Sequence, residues 1–145
     1  MTLILSIHPA AQLFAILLAF YAAYLGFQRT QSLHFGNSAK FLRKHHAVVG
    51  TIALISMLGG IVAGFFMVNR YLLNPDMGLH TAIAMILLPL GVFGIFSGFF
   101  MYRNPGQRRI LPAIHGVNNL IIIVLALVQI VTGIMAYLRY VLQWQ

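Results

Sequence analysis

The sequence predicts an all-α membrane protein, an antiparallel bundle of four transmembrane helices. Three observations predict it. Hydrophobic residues make up 61% of the 145-residue chain. Charged residues make up 7%, against about 25% in an ordinary soluble domain. The four stretches Met1 to Gln28, Ala47 to Asn69, Met77 to Tyr102 and Ile110 to Leu138 are free of Lys, Arg, Asp and Glu. Each can cross about 30 Å of hydrocarbon at about 1.5 Å per helical residue. Lipid offers backbone amides no water, so such stretches satisfy their own hydrogen bonds as helices. A soluble globule of this size could not hide so much apolar surface. One domain of four helices accounts for residues 1–145.

Helix one is expected over about 9–27. Pro9 suits its first turn, where a missing N–H costs nothing. No removable signal peptide is expected, because no basic lead-in precedes the apolar run. The first connection, QRTQSLHFGNSAKFLRKH, is the longest and most polar. Helix two is expected over about 46–68. The second connection holds Asn74, Pro75 and Asp76, a turn signal. Helix three is expected over about 77–102, kinked near its middle by Pro89. The third connection, RNPGQRR, is a Pro-Gly turn, and helix four follows over about 112–138. Connections this short make neighbouring helices antiparallel.

The net charge of +8 is unevenly placed. Arg29, Lys40, Arg43 and Lys44 fall in the first connection, and Arg103, Arg108 and Arg109 in the third. Only Arg70 and Arg139 fall at the other end. This bias places the first and third connections on the cytoplasmic or equivalent face, with both termini outside. Charge so sorted reads as a topology signal and a contact for anionic lipid, not as a nucleic-acid surface. There is no cysteine. That excludes disulfides, thiolate-held iron–sulfur clusters and covalent haem attachment. The single carboxylate side chain, Asp76, argues against a site for hard cations.

Six histidines are present. His34 lies in the polar first connection. The others open helices: His8, the neighbours His45 and His46, His80, and His115. In an antiparallel bundle His8 and His80 share one face, and His46 (or His45) and His115 share the other. Two such pairs suit bis-histidine ligation of an iron porphyrin, each helix supplying one axial imidazole. Ionisable residues within a membrane are costly and mark function by default.

A glycine stands 18 residues after a histidine in every helix: Gly26 after His8, Gly64 after His46, Gly98 after His80 and Gly133 after His115. Eighteen residues are five turns, roughly 27 Å. Each glycine therefore shares its histidine's face at the far end, where the other macrocycle would press. Small residues also line helix contacts in ordinary membrane proteins. From His46 the same face carries Gly50, Ala53, Met57, Gly60 and Gly64; from His45 it carries the bulkier Val49, Ile52, Ser56, Gly59 and Ala63. His46 is the expected ligand and His45 a neighbour touching a propionate or a lipid phosphate. His8 precedes Pro9, so it is expected just outside the helix, reaching inward. Arg43, Lys44 and Arg109 at one end, and Arg70 with Tyr71 at the other, are candidates to meet propionates, with interfacial anchoring the commoner role for such residues. Gln12, Asn119 and Gln129 lie near their helix's histidine direction and could touch the ligands.

The stretches HPAAQLFAILLAFYAAYLGFQR, KHHAVVG, LGG, GLHTAIAM and IHGVNNL resemble the membrane core of the cytochrome b561 superfamily. The nearest likeness is to a small uncharacterised prokaryotic branch that includes cyanobacterial members, and it covers nearly the whole chain. The resemblance implies two non-covalent b haems and electron transfer across a membrane. It implies His8 with His80, and His46 with His115, as axial pairs. Quinone, ascorbate or a partner redox protein are the donors and acceptors it brings into view. A homo-oligomer or a subunit of a larger complex are both compatible with it. Two rivals remain. One is a single-haem or haem-free anchor of a quinone-linked complex, with His34, Asn118 and Gln129 beside the quinone. The other is a structural or assembly protein that binds only lipid and other helices.

Overall fold

The structure, a computed structural model, describes residues 2–34, 36, 40–72, 75–106 and 108–143. Four helices fill it: α1 (Thr2–His34), α2 (Arg43–Tyr71), α3 (Leu79–Arg103) and α4 (Ile110–Tyr140). All four are long and apolar enough to cross a membrane. Side chains on the outside are large and apolar, as at Phe14, Phe66, Phe96 and Val131. Water would penalise such a surface, and lipid does not.

All four helices end later than the sequence suggests, and α1, α2 and α4 also start earlier than expected, whereas α3 starts at Leu79, two residues later. α1 continues through Arg29, which therefore lies on the helix and not in the first connection. It also runs back through Pro9 to Thr2, so His8 is helical and does not reach in from outside. Pro9 removes one backbone hydrogen bond, but the apolar residues before it have no better way to satisfy their amides in lipid. α3 likewise runs unbroken through Pro89. Asn74 of the turn signal lies outside the described residues, as does the His34 side chain. Asp76 caps the next turn: its Oδ1 accepts from the Gly78 amide at 2.8 Å, and Gly78 sits at φ 52°. That φ favours glycine.

Packing runs round a square: α1 on α2, α2 on α3, α3 on α4 and α4 on α1. Among the described residues the diagonal helices do not pack directly on each other. Every neighbour is antiparallel, as contacts between helix starts and helix ends establish: Ser6 Oγ meets Tyr137 Oη at 2.6 Å, and Arg43 Nη2 donates to the Met101 and Tyr102 carbonyls. The mid-bundle is a dry layer of Ala15, Ile16, Leu54, Met57, Ile122 and Ala126 with their neighbours. Small side chains at Ala15, Ala53, Ala84, Gly91, Gly94 and Ala126 are buried here, which lets the backbones approach closely. Polar groups entering this layer are hydrogen-bonded. Gln12 Nε2 donates to the Ser56 and Met57 carbonyls at 3.4 Å, and Asn118 Nδ2 to the Leu90 carbonyl at 3.1 Å.

Candidate functional site

Four of the histidines turn inward. His8, His46, His80 and His115 are half-buried, while His45 is exposed. The cause is the helical face. Ala53 and Met57 on the His46 side are buried, whereas Ile52, Ser56, Gly59 and Ala63 on the His45 side are exposed. An imidazole at position 46 therefore enters the bundle, and one at 45 leaves it.

The inward rings form two levels, each spanning a diagonal of the square. At one level His46 of α2 faces His115 of α4, with ring centres 6.3 Å apart and planes at 79°. At the other, His8 of α1 sits against Gly64 near the end of α2 and His80 of α3 against Gly133 near the end of α4, so both rings lie at the same end of the bundle. Two imidazoles on opposite sides of one metal, each nitrogen about 2 Å from it, would hold their ring centres roughly 6 Å apart. The observed separation matches that requirement. The levels stand roughly 27 Å apart by helical rise, with the dry layer between them.

Each ring lies against a glycine of the neighbouring helix. A methyl group built on Gly26 would stand 3.0 Å from His46 Cε1; on Gly64, 2.9 Å from His8 Cε1; on Gly98, 3.2 Å from His115 Cε1; on Gly133, 3.1 Å from His80 Cε1. The 18-residue spacing thus has a direct physical content. It alternates an imidazole and a glycine along one face, so that antiparallel neighbours seat each other's rings at both ends. The atom against each glycine is an imidazole carbon of the adjacent helix, where the sequence suggested the macrocycle itself.

The second ring nitrogen is held in place at three of the four sites. His46 Nδ1 lies 2.9 Å from the Ala22 carbonyl, which can only accept. His115 Nδ1 lies 2.8 Å from Ser97 Oγ, whose own O–H donates to the Phe93 carbonyl at 2.7 Å. His80 Nδ1 lies 3.1 Å from Thr132 Oγ1, whose O–H donates to Gln129 Oε1 at 2.9 Å. In each case Nδ1 carries the proton and donates it. Nε2 is left with its lone pair, the form that ligates a metal. His8 Nδ1 is buried beside the Gly60 carbonyl but without a hydrogen bond of good geometry. Sequence reading assigns no ring-nitrogen role to Ser97, Thr132 or the Ala22 carbonyl, although Thr132 is expected to join helices by hydrogen bonds. A hydroxyl residue directly before Gly98 and before Gly133 was the available signal for the first two.

One group stands in front of a proton-free ring nitrogen. Asn119 Nδ2 meets His115 Nε2 at 3.1 Å and also donates to the His115 carbonyl at 2.8 Å. A metal at Nε2 requires that amide to turn aside, keeping its bond to the carbonyl side. Gln129 Nε2 donates to the His80 carbonyl at 2.9 Å, and so braces the backbone of a ligand candidate. Asn118 braces α3 and touches no histidine nitrogen.

Of the cations named from sequence, Arg43 stacks at 5.2 Å over Tyr102 while holding two carbonyls. Arg70 lies 5.7 Å over its neighbour Tyr71 at the other end. Arg109 is exposed immediately before α4, and Lys44 is exposed in the first turn of α2. Among the described residues no three His, Cys, Asp or Glu side chains gather into a site for a bare metal ion. Paired imidazoles can complete a metal's coordination only if the cofactor brings the remaining ligands. A porphyrin, which supplies four nitrogens in a plane, fits that donor set. No protein-family model, curated protein or solved structure matches the chain.

Proposed function

We propose that the chain is a b-type dihaem cytochrome that carries electrons across a membrane, with His46 and His115 holding one haem and His8 and His80 the other. The observation that carries this is the His46–His115 pair: two imidazoles on diagonal helices, ring centres 6.3 Å apart, with Nδ1 bound to acceptors. Bound haem iron would supply reversible one-electron chemistry at each level. The chain's own residues supply the rest. Gly26, Gly64, Gly98 and Gly133 leave room for the rings, and Ala22, Ser97 and Thr132 fix their orientation. Imidazoles so oriented are better ligands, because donation from Nδ1 raises the basicity of Nε2. The dry layer around Ala15, Met57 and Ile122 keeps water out between the two levels. Electrostatic tuning is the protein's contribution, and the redox chemistry is the cofactor's.

Two further elements belong to this reading. In this reading Arg43 and Arg109 at one end and Arg70 at the other are the cations that would meet haem propionates. The positive-inside bias directs the His46–His115 level toward the cytoplasmic or equivalent face. The resemblance of the histidine stretches to the cytochrome b561 membrane core implies the same assignment and rests on the same histidines. The test is a reduced-minus-oxidised spectrum of reconstituted protein. Replacing His46 or His115 should remove one b-haem component, and replacing His8 or His80 the other. Loss of both components from any single replacement, or of neither from all four, would overturn the assignment.

A further inference from the structure

The end of the bundle that carries most of the positive charge holds a cavity of about 150 Å³. Its walls include Arg29 from α1, Phe41 and Arg43 leading α2, Met101 and Asn104 closing α3, and Arg108 before α4. Three arginines thus line one small space. Arg43 is already bonded to the Met101 and Tyr102 carbonyls at 3.0 and 2.6 Å. Arg29 stands 5.7 Å over the Phe41 ring, and Arg108 stands 4.8 Å over Phe100. These rings orient the two guanidiniums without neutralising them. Arg108 Nη1 is buried and meets no acceptor among the described residues.

A buried guanidinium N–H without an acceptor is costly, and like charges round one cavity repel. The chain has no side-chain carboxylate to offer here. Asp76, its only acidic residue, lies before α3 at the opposite end. An oxyanion from another molecule would supply the acceptor that Arg108 lacks among the described residues. We propose that this three-arginine cavity binds a phosphate-type oxyanion. Planar guanidinium forks match phosphate oxygens in pairs, better than they match a single carbonyl. The cavity also lies at the helix ends, the depth at which lipid phosphates border a bilayer. A phospholipid head group and a soluble phosphate share this chemistry. The site needs no haem, although it shares Arg43 with the propionate contact of the redox reading, and Arg29 and Arg108 belong to it alone.

The test uses the full chain in detergent, haem-free and haem-loaded. One arm counts retained phosphatidylglycerol against phosphatidylcholine by native mass spectrometry. The other titrates inorganic phosphate by phosphorus NMR. Saturable binding is expected in at least one arm. Selective retention of phosphatidylglycerol assigns the site to lipid, and phosphate binding alone assigns it to a soluble ligand. Arg108→Gln and Arg29→Gln should each weaken binding about tenfold or more, the loss of a charge-assisted bond. Arg108→Lys should recover part of it, and Arg139→Gln, at the far end, should change nothing. Helical circular dichroism separates lost binding from lost folding, and Arg29→Gln answers if Arg108→Gln misfolds. Three results would overturn the proposal: no saturable binding in either arm, equal weakening by Arg139→Gln, or release of the anion when haem is loaded. The last would mean that propionates own these arginines.

Discussion

Two glycines in α2 offer a controlled test of the imidazole seats. Gly59 and Gly64 are five residues apart on one helix. A methyl group at Gly59 meets nothing within 4 Å, whereas at Gly64 it stands 2.9 Å from His8 Cε1 and 3.4 Å from both ring nitrogens. Replacing either glycine by alanine gains the same helix propensity, about 1 kcal/mol. That gain cancels in the comparison. Carbon contacts relax at about 3.5–4.0 Å, so the His8 ring must retreat by roughly half an ångström or more. Overpacking of this kind costs about 1–3 kcal/mol. Gly64→Ala should therefore be less stable than Gly59→Ala by about 1–3 kcal/mol. If the strain falls on the ligated form, haem at the His8–His80 level should bind about 5- to 100-fold more weakly. Thermal unfolding in detergent and haem titration of both variants measure the two quantities. Equal stability and equal haem affinity would refute the idea that the glycines exist to seat the rings.

Other outcomes follow from the same geometry. His46→Ala should lower haem content by one per chain while His45→Ala leaves it unchanged, read by pyridine haemochrome assay. Ser97→Ala removes the acceptor that fixes His115 and should weaken haem at that level about 10- to 100-fold; an unchanged affinity would mean that Nδ1 needs no partner. Gly60→Ala would drive a methyl group into the Gln12 side chain, costing about 1–3 kcal/mol, and adding Gln12→Ala should restore the lost stability in a double-mutant unfolding series. Cysteine introduced at Lys44 should be labelled only from the cytoplasmic or equivalent side, and cysteine at Asp76 only from the other.

The fold was legible because lipid solvation leaves few choices. A run such as Ala47 to Asn69 has no way to satisfy its amides except as a helix. Helix ends were less legible, because charge marks the edge of the apolar span and not the end of the hydrogen-bonded turns. Hence Arg29 lies on α1, and Pro9 sits inside it. The choice between His45 and His46 could be read from the side chains on each face, since a face of Gly50, Ala53 and Gly64 can approach a neighbour and one of Val49 and Ile52 cannot. The Nδ1 partners were harder. A backbone carbonyl such as that of Ala22 has no residue signature at all, and Ser97 and Thr132 look like ordinary helix hydroxyls until the neighbouring helix is placed. The three-arginine cavity was hidden for a similar reason. Arg29, Arg43 and Arg108 come from distant parts of the chain, and counting charge by side records only that they share an end.

Haem stoichiometry of the purified full chain is the most direct measurement of whether these histidines serve as paired axial ligands. After reconstitution and removal of loose haem, two b-type haems per folded chain are predicted. A helical, monodisperse protein that retains none would contradict it.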